Sequence, residues 1–241
     1  MRLIQVTDCH LHADPQAPCR TGIPHRQLER VVAAVARLRP DAVLVTGDVS
    51  EDRTAASYAL AEQVLGRLDC PWFWLPGNHD DPGLMAECRP FQASLDLDGW
   101  RVLLLDTQVV GEEAGEVGEA RLAALADRLA GGDRPTLLAM HHPPLAVGSA
   151  WLDELGLVDA AAFWDCLAGH DHVQAVLCGH IHQAFVGRGP DGVPVYGCPA
   201  TSDQFLAGAE TFTVDEASRP GFRVLDLHGG ELATWVERVE L

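Results

Sequence analysis

Six short, almost wholly apolar runs, at residues 3–6, 42–45, 72–75, 102–105, 136–139 and 174–177, punctuate the chain. Runs of that length with no polar face predict strands buried on both sides. Between them, residues 26–38, 55–68, 119–129 and 159–168 carry apolar side chains at three- and four-residue spacing, which predicts amphipathic helices. The last third changes character. Segments 183–187 and 193–197 flank a Pro190-Asp191-Gly192 turn, and His228-Gly229-Gly230 separates two later strand-like runs, so antiparallel hairpins close the chain. The pattern predicts an α/β fold with mixed sheets and helices outside, rather than a purely parallel doubly wound sheet.

Length and composition narrow this picture. The 241 residues, 47% of them apolar, suffice for one large core but hardly two, so residues 1–241 are expected to form a single domain. No stretch approaches the roughly 20 uncharged apolar residues of a spanning helix. The first residues reach Asp8 and His10 without the basic start and apolar run of an export signal, and a soluble cytoplasmic protein is expected. Seven cysteines without a C-x-x-C pair fit reduced thiols, and Cys9, although it sits between two candidate ligands, reads as a structural thiol.

All 17 basic residues are arginine. That excludes a Schiff-base lysine and the phosphate-binding lysine of a P-loop. A formal charge of −18 argues against nucleic acid as the main partner, since duplex binding relies on a basic face. An anionic small substrate would meet the same repulsion unless cations were bound in the site.

Five of the buried runs end directly in a side chain able to bind a metal: Asp8, Asp48, Asn78, His141 and His180. Strands of an α/β sheet present ligand sites beyond their carboxyl ends, so residues distant in sequence can converge there. Singly, most of these segments are ordinary. Asp8-Cys9-His10 is a pattern that chance supplies often, and Gly47-Asp48 reads as a turn. Gly77-Asn78-His79-Asp80 is more particular, because glycine permits a sharp turn that presents an amide and an imidazole together. In Gly179-His180-Ile181-His182 two imidazoles share one face of extended chain. Of His141-His142, adjacent residues leaving a strand point oppositely, so His141 is expected at the metal and His142 in packing or support. His170 and His172 precede their strand, at the opposite edge, and read as loop residues.

The ordered set D-x-H, G-D, G-N-H-D, H-H, G-H-x-H, spanning residues 8 to 182, resembles the calcineurin-like metallophosphoesterases. The resemblance implies a four-layer α/β sandwich, two mixed β-sheets flanked by helices, with a metal site at the C-terminal strand ends. It puts Asp8, His10 and His182 on one ion, Asn78, His141 and His180 on the other, and Asp48 between them. Two cations about 3.5–4 Å apart lower the pKa of a water and stabilise the attacking and leaving oxygens of an in-line displacement. Oxygen and nitrogen ligands without thiolate suit Fe, Mn, Co or Zn. His79 is no ligand in this pattern. It contacts the phosphoryl group, with His10, Asn78 and His182 as further substrate contacts, and is the candidate proton donor to the leaving oxygen. Asp52 or Asp80 is a candidate to orient it.

Segments 74–80, 149–153, 177–183 and 220–223, with Trp151-Leu152-Asp153 and Gln204-Phe205 the more particular, are similar to the class III cyclic nucleotide phosphodiesterases, specifically the bacterial 3′,5′-cyclic-AMP enzymes. This implies hydrolysis of cyclic AMP to 5′-AMP, with a small cyclic nucleotide as partner and no membrane. Trp151 and Phe205 are expected either to border the base or to anchor loops. Another small phosphoester, a nuclease reaction and a non-catalytic metal-binding role are the alternatives.

Overall fold

Alternate residues of the central strands belong to different apolar layers, which is why their sequences show no polar face. The computed structural model describes all 241 residues. One sheet contains β1 (Arg2–Val6), β2 (Ala42–Thr46), β3 (Trp72–Leu75), β10 (Gly221–His228) and β11 (Glu231–Arg238) in the order β11-β10-β1-β2-β3. The other contains β4 (Ser94–Leu97), β5 (Trp100–Leu104), β6 (Thr136–Met140), β7 (Val173–Cys178), β8 (Phe185–Arg188) and β9 (Pro194–Gly197) in the order β4-β5-β6-β7-β9-β8. Both are mixed. β1, β2 and β3 are parallel, as are β5, β6, β7 and β9, while the β10–β11, β4–β5 and β8–β9 pairs are antiparallel.

Ile4, Val43, Val45, Trp72 and Trp74 face outward under α1 (Pro24–Arg37), α2 (Ala55–Leu65) and α3 (Pro82–Cys88). Their neighbours Leu3, Leu44 and Leu75 face inward and meet Leu137, Ala139 and Leu177 of the second sheet. On the far side Leu138, Met140 and Val176 lie under α4 (Glu119–Ala130) and α6 (Ala160–Leu167), with the short α5 (Ala150–Asp153) nearby in sequence. The result is a helix–sheet–sheet–helix sandwich, the four-layer arrangement expected above. No helix is long and apolar enough to cross a membrane.

Local signals set the helix ends. Pro24 occupies the first turn of α1, where its missing N–H costs nothing. The Thr54 side chain accepts from Ser57 N at the start of α2, and Gly66 ends that helix three residues before the predicted limit at 68. Three elements have no counterpart in the apolar pattern of the chain: α3, α5 and β4. Each has seven residues or fewer, too short to display a period, although Asp98-Gly99 between β4 and β5 is a recognisable tight-hairpin signal.

Candidate metal centre

Loops leaving the carboxyl ends of β1, β2, β3, β6 and β7 meet at one edge of the sandwich. The first two are zipped by Asp8 N to Gly47 O, His10 N to Asp48 O and Leu11 N to Val49 O, each 3.0 Å, and the last two by Gly179 N to His141 O at 3.0 Å. Asp8, His10, Asp48, His180 and His182 all have φ between 47° and 67°, five of the nine non-glycine residues in that region. Side-chain-bearing residues enter it at a cost and stay only where surroundings over-determine them. Gly77 is demanded by proximity, since a Cβ there would fall on Asp48 Oδ1.

The structure brings Asp8, His10, Asp48, Asn78, His141, His180 and His182 together around Asp48, with His79 at the rim. His182 Nε2 lies 3.3 Å from Asp8 Oδ1, His141 Nε2 3.3 Å and His10 Nε2 3.8 Å from Asp48 Oδ2. Asn78 Oδ1 is 3.0 Å from both His141 Nε2 and His180 Nδ1. Partners outside the cluster fix three of the imidazoles. His141 Nδ1 donates to the Thr46 carbonyl (2.8 Å), His182 Nδ1 to the Asp203 carbonyl (2.7 Å) and His10 Nδ1 to Glu51 Oε2 (2.7 Å). Each therefore turns Nε2 inward, the arrangement that presents a lone pair to a metal.

No arginine is paired with Asp8 or Asp48. Burial opposes their ionisation, but imidazoles overcome it, His182 first at Asp8 and His141 first at Asp48, and both carboxyls lie below their usual range. The same pairings act in reverse on the rings. His10 resists burial through Glu51, Asp48 and Asp8 and is raised to about 9, and His141 through Asp48 and Asp8 likewise to about 9. The 3.1 Å approach of His10 Nε2 to His182 Nε2 requires a cation between two lone pairs or a proton on one ring. The donors thus fit metal ions: they are oxygen and nitrogen only, converge from fixed tautomers, and attract positive charge. His180, neutral because burial and then His142 and His141 depress its pKa, has a buried Nε2 with no protein partner.

His142 has a ligand atom within 4.8 Å of those of His141 and His180, yet both its nitrogens are taken. Nδ1 pairs with Thr107 Oγ1 at 2.8 Å and Nε2 donates to the Glu113 carbonyl at 3.1 Å, while burial and His141 push its pKa down to about 3. It supports the loop at Thr107 and Glu113. His170 and His172 pair with each other, their ring centroids 5.3 Å apart, and belong to no metal-competent cluster. Cys9 is fully buried in the apolar layer under α1, and its thiol is pushed up to about 12 by that burial, as a structural thiol should be.

His79 corrects one expectation. Neither Asp52 nor Asp80 touches its ring; the carboxylate beside its Nδ1, at 3.3 Å, is Glu51, which also holds His10. Asp52 instead binds Ala13 N and Thr54 Oγ1. Asp80 accepts from Val49 N, Ser50 N, Gly77 N and the Tyr58 hydroxyl, joining the β2 and β3 loops, and burial and then Asp48 raise it to about 6. Asp80→Ala orphans three buried N–H groups and is expected to cost about 3 kcal/mol or more, measured by urea unfolding of metal-free protein. Arg53 is a second residue missed in the sequence: it donates to the carbonyls of Asn78 (2.9 Å) and His79 (3.1 Å). Loop residues without periodic context give no signal that would single out Glu51 or Arg53.

A cleft of about 590 Å³ opens in front of these residues, and Trp151 and Phe205 line it. Phe205 also stacks on His182, with centroids 3.9 Å apart and planes at 8°, so it anchors a site residue as well as bordering the cleft.

A sequence model of the family described as calcineurin-like phosphoesterase matches residues 1–184. A Vibrio vulnificus (strain CMCP6) protein named 3′,5′-cyclic adenosine monophosphate phosphodiesterase CpdA is 37% identical over 250 residues, covering 99% of this chain and 90% of the relative. The protein of that name from Escherichia coli (strain K12) is 35% identical over 256 residues, with the same two coverages of 99% and 90%. A solved dimetal phosphatase from Danio rerio is similar with a TM-score of 0.74 over 99% of both chains at 15% identity, a likeness of fold alone.

Proposed function

Because the chain belongs to the calcineurin-like phosphoesterase family, we propose that it hydrolyses 3′,5′-cyclic AMP to 5′-AMP on a pair of transition-metal ions. The observation that carries the substrate is the full-length likeness to relatives named for that reaction, 35–37% identical over 99% of this chain. We read residues 1–241 as one metallophosphoesterase domain, since a single apolar layer is shared by both sheets. Free thiols at all seven cysteines fit a cytoplasmic setting.

Asp8, His10 and His182 would hold one ion, Asn78, His141 and His180 the other, and Asp48 both, with Fe, Mn, Co or Zn suited to such donors. Bound there, the ions supply an activated water and offset charge on the phosphoryl oxygens. The chain's own residues do the rest. His10, Asn78, His79 and His182 face the phosphoryl group from the cleft. His79 Nδ1 faces Glu51, which leaves Nε2–H to hand its proton to the departing 3′-oxygen. Glu51 raises the His79 pKa above its ordinary value, as the largest of the influences on it, and keeps that proton in place.

Glu51→Gln is therefore expected to lower kcat about tenfold. Because the working form carries the proton, activity falls as pH rises through the His79 pKa, and removing Glu51 should shift that alkaline limb to lower pH. A kcat–pH profile reads both effects. The cleft also disfavours a nuclease: Asp48, Glu51, Glu113 and Asp203 line it with one arginine, Arg20, where a polynucleotide track would be basic. A panel of cyclic AMP, cyclic GMP, 2′,3′-cyclic AMP, bis(p-nitrophenyl) phosphate and single-stranded DNA tests the reading. Cyclic AMP should be turned over and single-stranded DNA should not; the reverse preference would sink it.

A further inference from the structure

The wall of the cleft beyond the metal centre is aromatic and has no part in the chemistry above. Trp151, Phe205 and Phe212 form a triangle of edge-on rings with centroids 5.2 to 5.3 Å apart. Phe205 is spent on His182, which makes the wall continuous with the metal centre. Phe212 is 46% exposed, and the Arg20 guanidinium lies over its ring at 4.8 Å. Arg20 is itself 62% exposed, with its guanidinium 3.6 Å from the carboxylate of Asp203, whose carbonyl holds His182.

This wall is built rather than incidental. The Asp203 carboxylate accepts from Arg20 N and Thr21 N, fixing the loop that carries Arg20. Gly208 N donates to Ser149 Oγ, fixing the Phe212 loop to the start of α5. The Trp151 indole N–H is shielded from solvent and has no acceptor in the protein. The guanidinium over the Phe212 ring is itself open to solvent, and planar cations and aromatic rings are the surfaces on which nucleobases stack.

We propose that Arg20 and Phe212, backed by Trp151, form the subsite that receives the base of the nucleotide and sets its selectivity for purines. The inference rests on the reading of the protein as a cyclic nucleotide phosphodiesterase. The base stacks on the Arg20 guanidinium while the cyclic phosphate reaches the metal centre past Phe205. A purine covers more of that plane than a pyrimidine, so cyclic AMP is favoured over cyclic CMP.

The test compares kcat/KM on manganese-loaded protein for cyclic AMP, cyclic CMP and the base-free methyl riboside 3′,5′-cyclic phosphate. The parent should prefer cyclic AMP to the base-free ester by about tenfold or more, a difference that stacking of one base can supply. Arg20→Ala and Phe212→Ala should each erase most of that preference through KM, and Phe212→Tyr should keep it. Arg20→Lys retains the charge without the plane and should lose the preference as Arg20→Ala does. Full preference in Arg20→Lys, or equal losses on all three substrates, would overturn the subsite. A parent that cleaves the base-free ester as well as cyclic AMP overturns the subsite and leaves the proposed reaction standing. A parent that cleaves only the base-free ester overturns that reading and the subsite with it.

Discussion

Asp48→Asn is expected to lower cyclic AMP hydrolysis by about 10³-fold or more and to leave fewer than two ions bound per chain. The magnitude follows from position. Asp48 is 2% exposed, and its carboxylate is the only one within 4 Å of imidazoles from both halves of the cluster, His10 on one side and His141 on the other. Its Oδ1 also accepts from His79 N at 2.8 Å, setting the backbone from which the proposed proton donor projects. Asparagine keeps the size and one acceptor oxygen, so the loops should stay folded and the loss should report the charge. Elemental analysis beside steady-state kinetics separates the two effects. Two ions and near-parental turnover in Asp48→Asn would contradict the placement.

His79→Ala should behave differently, lowering kcat about 10²–10⁴-fold while both ions remain bound. The ring is 38% exposed at the cleft, where it meets Glu51 and the edge of His10, and the His79 N to Asp48 bond is made by the backbone, which alanine retains. A fall in metal content parallel to the fall in kcat would instead make His79 a ligand.

The layers were legible because the strands carry their instructions in an uncoded form: every residue of 42–45 is apolar, and only burial on both faces accounts for that. Strand-end placement then made sense of Asp8, Asp48, Asn78, His141 and His180, which looked individually like turn and loop residues. His142 was separable from His141 by alternation alone, and the structure turns it to Thr107 and Glu113.

What escaped the sequence lies in irregular loops. Glu51 sits three residues beyond Asp48 in an irregular loop where Asp48 and Arg53 adopt positive φ, and its reach to His10 and His79 leaves no periodic signal in the sequence. Asp80, which sequence proximity offered as a partner for His79, is drawn instead to three backbone N–H groups that would otherwise be buried unpaired. Arg20 and Phe212 are separated by most of the chain and meet only after the loops carrying them are tied to Asp203 and Ser149.

The most direct test is product analysis of cyclic AMP incubated with protein stripped by chelator and reloaded separately with Mn, Fe, Co or Zn. 5′-AMP is expected as the product with at least one of these metals, and no turnover in the stripped protein. No hydrolysis with any of the four, or 3′-AMP as the product, would contradict the proposed reaction.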